Sequence, residues 1–333
     1  MGRYHKDTRR LMRIATYNVE WFDYLFDAAG DLRLDGSWSS RWDVTKAQQS
    51  AAVASVFKAL DADILMVIEA PDASRHRDTV YALEGFAAHY GLRQRAAAIG
   101  FANHTQQEIA VMYDPNVVSI EHRPTSSEAV PAFTETYNGA EWSKPPFEAW
   151  VTPKSGDPFM LIGVHAKSKA PHGATTDAEA AQISLANRRK QLAQCAWLRE
   201  RVDDLLAQNI PTIVLGDFND GPGQDQFEEQ LGKSGVEVVL GAGDTALYDP
   251  HAVTALCNRF ACPTTARFYL HLEKRYLQAL LDYVMVSSTI AAQHPSWRIW
   301  HPFDDPEIYA NDDLRQALLT ASDHFPVSID LPD

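Results

Sequence analysis

Thr212-Ile213-Val214-Leu215-Gly216-Asp217-Phe218-Asn219-Asp220 is a short, almost wholly apolar run that stops at a glycine and an acid. Such a run, too short for a helix and bounded by turn residues, reads as a strand buried on both faces of its sheet. Ile14 to Val19, Ile64 to Ile68, Ile109 to Tyr113, Phe159 to Val164 and Leu280 to Val286 read the same way. Between them, Val53, Val56, Phe57 and Leu60 fall at i, i+3, i+4 and i+7, and Leu192, Cys195, Leu198, Val202 and Leu205 recur at helical spacing over a longer stretch. Interleaved strands and helices predict α/β layers, with sheet inside and helices outside. Asp23 to Arg41, Pro124 to Pro146 and Gly241 to Thr265 are too long for simple turns and are expected to be binding loops or disorder.

The 333 residues (37.1 kDa) contain no Pro/Gly/Ser linker, so residues 13–333 are read as a single domain behind an N-terminal extension, residues 1–12. Apolar residues at 45% and charged residues at 22% suit a globular core and exclude fibrous and disordered classes. The net charge of −14 gives no global field for a polyanion, which must be met locally. No apolar run approaches the roughly 18 residues of a membrane span. Arg3, Lys6, Arg9 and Arg10 resemble the basic start of a signal peptide, but Asn18, Glu20 and Asp23 fall where its apolar region belongs. Three cysteines, Cys195, Cys257 and Cys262, are too few for a disulfide framework and suit a reducing compartment; the expected location is cytoplasmic.

Strand after strand ends in a chemically useful group: Asn18 and Glu20, then Glu69, His165 and Asp217. In open α/β sheets such ends gather at one edge. A single polar strand end is only a chain leaving the core. Repeated acids are different, because burying unpaired carboxylates costs several kcal/mol each, and a shared cation relieves the cost. Glu69, Asp217, Asn219 and Asp323 offer oxygen atoms alone, which favours Mg²⁺ or Mn²⁺ over zinc and points to phosphate chemistry.

Seven segments, in order, resemble the endonuclease/exonuclease/phosphatase superfamily. They are Thr16-Tyr17-Asn18-Val19-Glu20, Asp63-Ile64-Leu65 leading to Glu69, Gln107 to Val111, Gly163 to Lys169, Gly216 to Asn219, Leu281 to Val284, and Ser322-Asp323-His324. The resemblance implies a DNase I-like four-layer sandwich of two mainly antiparallel β-sheets flanked by helices, with the active site at one rim. It also implies roles. Glu69 is matched to a metal-binding glutamate, supported by Asn18 and Asp323. Asp217 is matched to the acid that orients or deprotonates water, and Asn219 to an amide on a phosphate oxygen. Asp282 and His324 form a carboxylate–imidazole pair, and His165 is a second active-site histidine with Glu108 as its partner. The implied activity is Mg²⁺- or Mn²⁺-dependent hydrolysis of a phosphodiester, nucleic acid being the leading substrate. The alternatives are a lipid head group, nucleotide or sugar phosphate, and a silent binding module that keeps the fold.

Lys167, Lys169 and Glu20 flank these motifs and are read as substrate contacts, the lysines from a basic loop after His165. Arg188, Arg189 and Lys190 are read as the wet face of the long helix. Trp142, Phe147 and Trp150 surround Pro145 and Pro146 in a loop that they anchor to the core. His251, Cys257, Cys262 and His271 lack the spacing of a zinc set. Oligomeric state is not legible.

Overall fold

The computed structural model describes residues 11–102, 105, 107–124, 142–222, 231–257, 262–270 and 274–332. Residues 1–10 of the N-terminal extension, most of Pro124 to Pro146, and His271 lie outside these.

Two sheets carry the fold. The first has six strands in the order β12 (Ser296–Ile299), β13 (Val327–Leu331), β1 (Met12–Asn18), β2 (Ile64–Pro71), β4 (Gln107–Tyr113) and β3 (Ala96–Ile99). The second has five: β11 (Asp282–Val286), β8 (Thr212–Asp217), β7 (Phe159–His165), β6 (Phe147–Pro153) and β5 (Val118–His122). Each sheet has one parallel pair, β1 with β2 and β7 with β8, and every other pairing is antiparallel. A parallel pair needs a crossover, supplied by α1 (Lys46–Leu60) in the first sheet and α3 (Asp177–Ala207) in the second.

The unbroken apolar runs now have their reason. Ile14, Ile64, Met66 and Ile68 face inward and meet Leu161, Ile213, Leu215 and Val284 of the other sheet. Their neighbours Ala15, Tyr17, Leu65 and Val67 face outward and pack under α1, α2 (Thr79–Tyr90) and the helix Asp312–Ala321. Val214, Phe218 and Tyr283 do the same under α3. Both faces of each sheet are covered, so strands here need apolar residues at every position. The result is the four-layer sandwich expected from the sequence.

Local features differ from the sequence reading in three places. Gly241 to Thr265 is not plain loop, because it contains the helix Pro250–Cys257. Just after it, Ala266–Leu270 (β9) and Arg275–Ala279 (β10) form a separate two-stranded hairpin. Phe147 and Trp150 belong to strand β6 instead of a loop, with Phe147 and Trp142 buried.

The turn at the end of β8 rests on Gly216, whose φ of +136° is open to glycine and strained for other residues. A Cβ placed there would sit 2.0 Å from the Val164 carbonyl oxygen of β7. Gly216→Ala is therefore expected to lower stability by about 3 kcal/mol or more, measured by urea unfolding; a midpoint equal to that of the wild type would contradict the packing described.

Candidate active site

The rim of the sandwich assembles itself from strand direction. β1, β2, β7 and β8 all run toward it and deliver Asn18, Glu69, His165 and Asp217 at or near their C-terminal ends. β11 and β13 run the opposite way and deliver what precedes or begins them: Asp282, in register with Asp217, and Asp323-His324 ahead of Val327. A buried hydrogen bond ties the two sheets together there, Asn18 Nδ2 donating to Asp217 Oδ2 at 2.9 Å.

Two side chains are aimed by strained backbone. Glu69 occupies a β-bulge between Ile68 and Ala70 with φ +64°, and Asn219 follows β8 with φ +51°. A bulge turns a side chain out of the alternating pattern, and left-handed non-glycine residues persist only where their surroundings over-determine them. At Asn219 they do. Its backbone N–H donates to Asp217 Oδ1 (2.7 Å), its side-chain amide donates to Ala166 O (3.1 Å), and Gln191 Nε2 donates to its carbonyl (3.0 Å).

A cavity of about 490 Å³ opens at this rim. Asn18, Glu20, Glu69, His165, Lys167, Asp217, Asn219, Asp323 and His324 are in its wall. Of the expected site residues, only Glu108, Lys169 and Asp282 are not in its wall. Asp282 stands directly behind, its Oδ2 accepting from His324 Nδ1 at 2.8 Å and from Thr265 Oγ1 at 2.8 Å. Lys169 is bound to Asp220 (2.8 Å), away from the substrate contact expected of it. Glu108 is buried and accepts from the Ala73 backbone N–H. The expected His165–Glu108 pairing gives way to another: Lys144 Nζ lies 3.0 Å from His165 Nδ1 and 2.7 Å from Gln107 Oε1, and Gln107 Nε2 donates to Glu69 Oε2 at 2.7 Å.

Lys144 is absent from the sequence-based site. Its signal was the Ser143-Lys144-Pro145-Pro146 sequence, since a residue before proline is held extended. Arg188, expected on a solvated helix face, is instead fully buried and paired with Asp220 at 2.6 Å. Asp220 also receives Lys169 and the Gly235 N–H. A lone charge could not be buried there, so the pair anchors the turn that carries Asn219.

The electrostatics divide the site. Burial pushes the carboxyl of Asp217 up to about 7, against the pull of His324. Burial, then Asp323 and Glu69, push Glu20 up to about 7, although Arg41 pairs with it. Glu69 is raised mainly by burial, with Asp323 adding to it and Lys144 opposing. Burial opposes the charged form of His324, but Asp282 and then Asp217 overcome it, and its pKa lies well above the usual histidine value. Burial, reinforced by Lys144, holds His165 well below that value. The two histidines are shifted in opposite directions.

The donor set fits a hard divalent cation. Asp323 raises both Glu20 and Glu69, and Asn18 Oδ1 is buried with no donor among the described residues. Asp217, Asp282 and His324 also offer ligand atoms within 4.8 Å of one another, but His324 Nδ1 and Asp282 Oδ2 are already bonded to each other. No other set of three acids or histidines among the described residues lies that close together.

A four-layer α/β sandwich with an acid-lined rim and a buried carboxylate–imidazole pair defines a class of phosphoesterase-like proteins. The chain belongs to the Endonuclease/Exonuclease/phosphatase family, whose sequence profile matches residues 15–324. Its fold is similar to that of TDP2 from C. elegans (TM-score 0.56, 15% identity, 97% of this chain and 75% of that one). It is also similar to D. rerio TDP2 complexed with single strand DNA product (TM-score 0.53, 14% identity, 97% and 99%). No curated protein matches it in sequence. Members of this family are in general divalent-metal-dependent phosphoric ester hydrolases. Among the described residues no helix is long and apolar enough to cross a membrane.

The two histidines should titrate apart in metal-free protein. His324 stays protonated above about pH 6.5, the ordinary value, and His165 stays neutral below it. Because the folded pKa of His324 is raised, its contribution to stability is complete below about pH 6.5 and disappears as pH rises through the folded value. Imidazole ¹⁵N shifts would show both; a common midpoint near the ordinary value would refute the assignment.

Proposed function

We propose that the protein is a Mg²⁺- or Mn²⁺-dependent phosphodiesterase of nuclease type, working in the cytoplasm through the one domain that begins near residue 13. The convergence of Asn18, Glu69, Asp217, Asp323 and His324 on one cavity, from strands as far apart as β1 and the approach to β13, carries this reading.

In this reading Asn18, Glu69 and Asp323 hold the cation, which when bound would draw electron density from a phosphoryl oxygen and offset its charge. Asp217 is the base: burial gives its carboxyl the proton affinity to take a proton from water near neutral pH, and bonds from Asn18 and Asn219 fix its direction. Asn219 Nδ2, already bonded to Ala166 O and 3.2 Å from Asp217 Oδ2, is placed to meet a phosphoryl oxygen. His324, held charged by Asp282, donates a proton or hydrogen bond on the phosphate side. Neutral His165 orients substrate or product, with Lys144 and Lys167 supplying positive charge beside it. Glu20 shapes the cation's side of the cavity.

Asp217→Asn and His324→Ala should each lower kcat on bis-nitrophenyl phosphate by about 10³-fold or more, with unchanged circular dichroism; wild-type rates in either variant would refute these roles. Metal binding is expected to release protons, because the positive charge of a cation in this cavity favours the ionised forms of Glu20 and Asp217, both near 7 without it, so affinity falls as pH drops below about 7. Calorimetry of Mn²⁺ binding in two buffers of different ionisation heat measures this, and equal heats at about pH 6.5 would contradict it.

A further inference from the structure

Glu20 lines the cavity just beyond β1, yet both oxygens of its carboxylate already have donors. Trp21 Nε1 donates to Oε1 at 3.1 Å, and the Arg41 guanidinium pairs with Oε2. The two charged side chains are 15% and 26% exposed, so water and salt screen the pair only in part. The backbone is pinned as well: Glu20 N–H donates to Ser322 Oγ (3.1 Å), and its carbonyl accepts from Gln49 Nε2 (2.8 Å). Arg41 ends the long Asp23 to Arg41 segment and is fixed in turn, its Nη2 donating to Leu319 O at 3.0 Å. Trp21 has a left-handed backbone, φ +58°, and its ring packs edge to face on Tyr24. Such a conformation persists in an aromatic residue only where the surroundings over-determine it.

The other two acids of the cavity wall are placed differently. Gln107 and the Trp21 backbone N–H both address Oε2 of Glu69. Among the described residues no donor reaches Glu69 Oε1 or either carboxylate oxygen of Asp323. Nor do Glu20, Glu69 and Asp323 bring ligand atoms within 4.8 Å of one another, as Asp217, Asp282 and His324 do. With Glu20 neutralised by Arg41, the charges of Glu69 and Asp323 match those of one divalent ion.

We propose that Glu20 is not a cation ligand: Arg41 and Trp21 hold it aside, and Arg41 is the positioning residue that leaves Asn18, Glu69 and Asp323 as the donors of a charge-matched site. The number of charged ligands tunes the affinity of an oxygen site for a hard cation over orders of magnitude. A third carboxylate would tighten binding and cancel positive charge that a phosphoryl oxygen is to meet. The inference rests on the phosphodiesterase reading and adds to it the residue that sets the strength of the cation site.

The test is the Mn²⁺ affinity of the full chain without substrate, read from free Mn²⁺ by electron paramagnetic resonance. Arg41→Gln keeps an amide donor but releases Glu20, and should bind Mn²⁺ at least about tenfold tighter. Its kcat on bis-nitrophenyl phosphate at saturating Mn²⁺ should fall, whereas loss of a residue that only braced the fold would weaken both. Arg41→Lys keeps the charge and should restore the affinity to within about threefold of the wild type. Arg41→Gln/Glu20→Gln removes the pair without leaving a lone charge and should also stay within about threefold, while Glu69→Gln should lose about tenfold or more. A double variant as weak as Glu69→Gln would make Glu20 a ligand and overturn the proposal, as would unchanged or weaker Mn²⁺ binding by Arg41→Gln with the circular dichroism of the wild type. A wild type that binds Mn²⁺ under those outcomes loses this inference alone; one that binds no Mn²⁺ and cleaves no phosphate ester loses the phosphodiesterase reading with it.

Discussion

The hydrogen bond from Asn18 to Asp217 joins the end of the first strand of one sheet to the end of a central strand of the other. It is possible only because the inward residues of both sheets, Ile14, Met66, Ile213 and Leu215 among them, fill the space between them and fix their relative position. Slip either sheet along its strands and acids that share a cavity would separate. The apolar layer thus does electrostatic work: it holds carboxylates at a distance where burial and mutual repulsion raise their proton affinity.

That repulsion is the source of the proposed reactivity. A site that crowds Glu20, Glu69 and Asp323 is under electrostatic tension until a cation arrives. Meanwhile Lys144 and His324 moderate it at Glu69. The two histidines illustrate how little the residue type decides. Asp282, Asp217 and Asp323 raise the pKa of His324 against its burial, whereas burial, Lys144, His324 and Lys167 together lower that of His165. Buried pairs outside the cavity, Arg188 with Asp220 and Thr265 with Asp282, hold the turns and side chains that the cavity needs in place.

The sequence by itself determined the layers and most of the site's membership. Apolar strands without alternation require covered sheets, and acids that follow them at several strand ends require a shared rim, so Asn18, Glu69, Asp217 and His324 were legible from local pattern together with the family's motifs. Tertiary structure alone decided who touches whom. Lys144 entered because the residues just before β6 bring its Nζ to His165, the place expected of Glu108, and Lys169 and Arg188 turned toward Asp220, which lies buried and bonds both. Composition marks a lysine as soluble or an arginine as a wet helix face; only the closing of one sheet over another, which removes water from a given spot, settles whether that charge must find a partner.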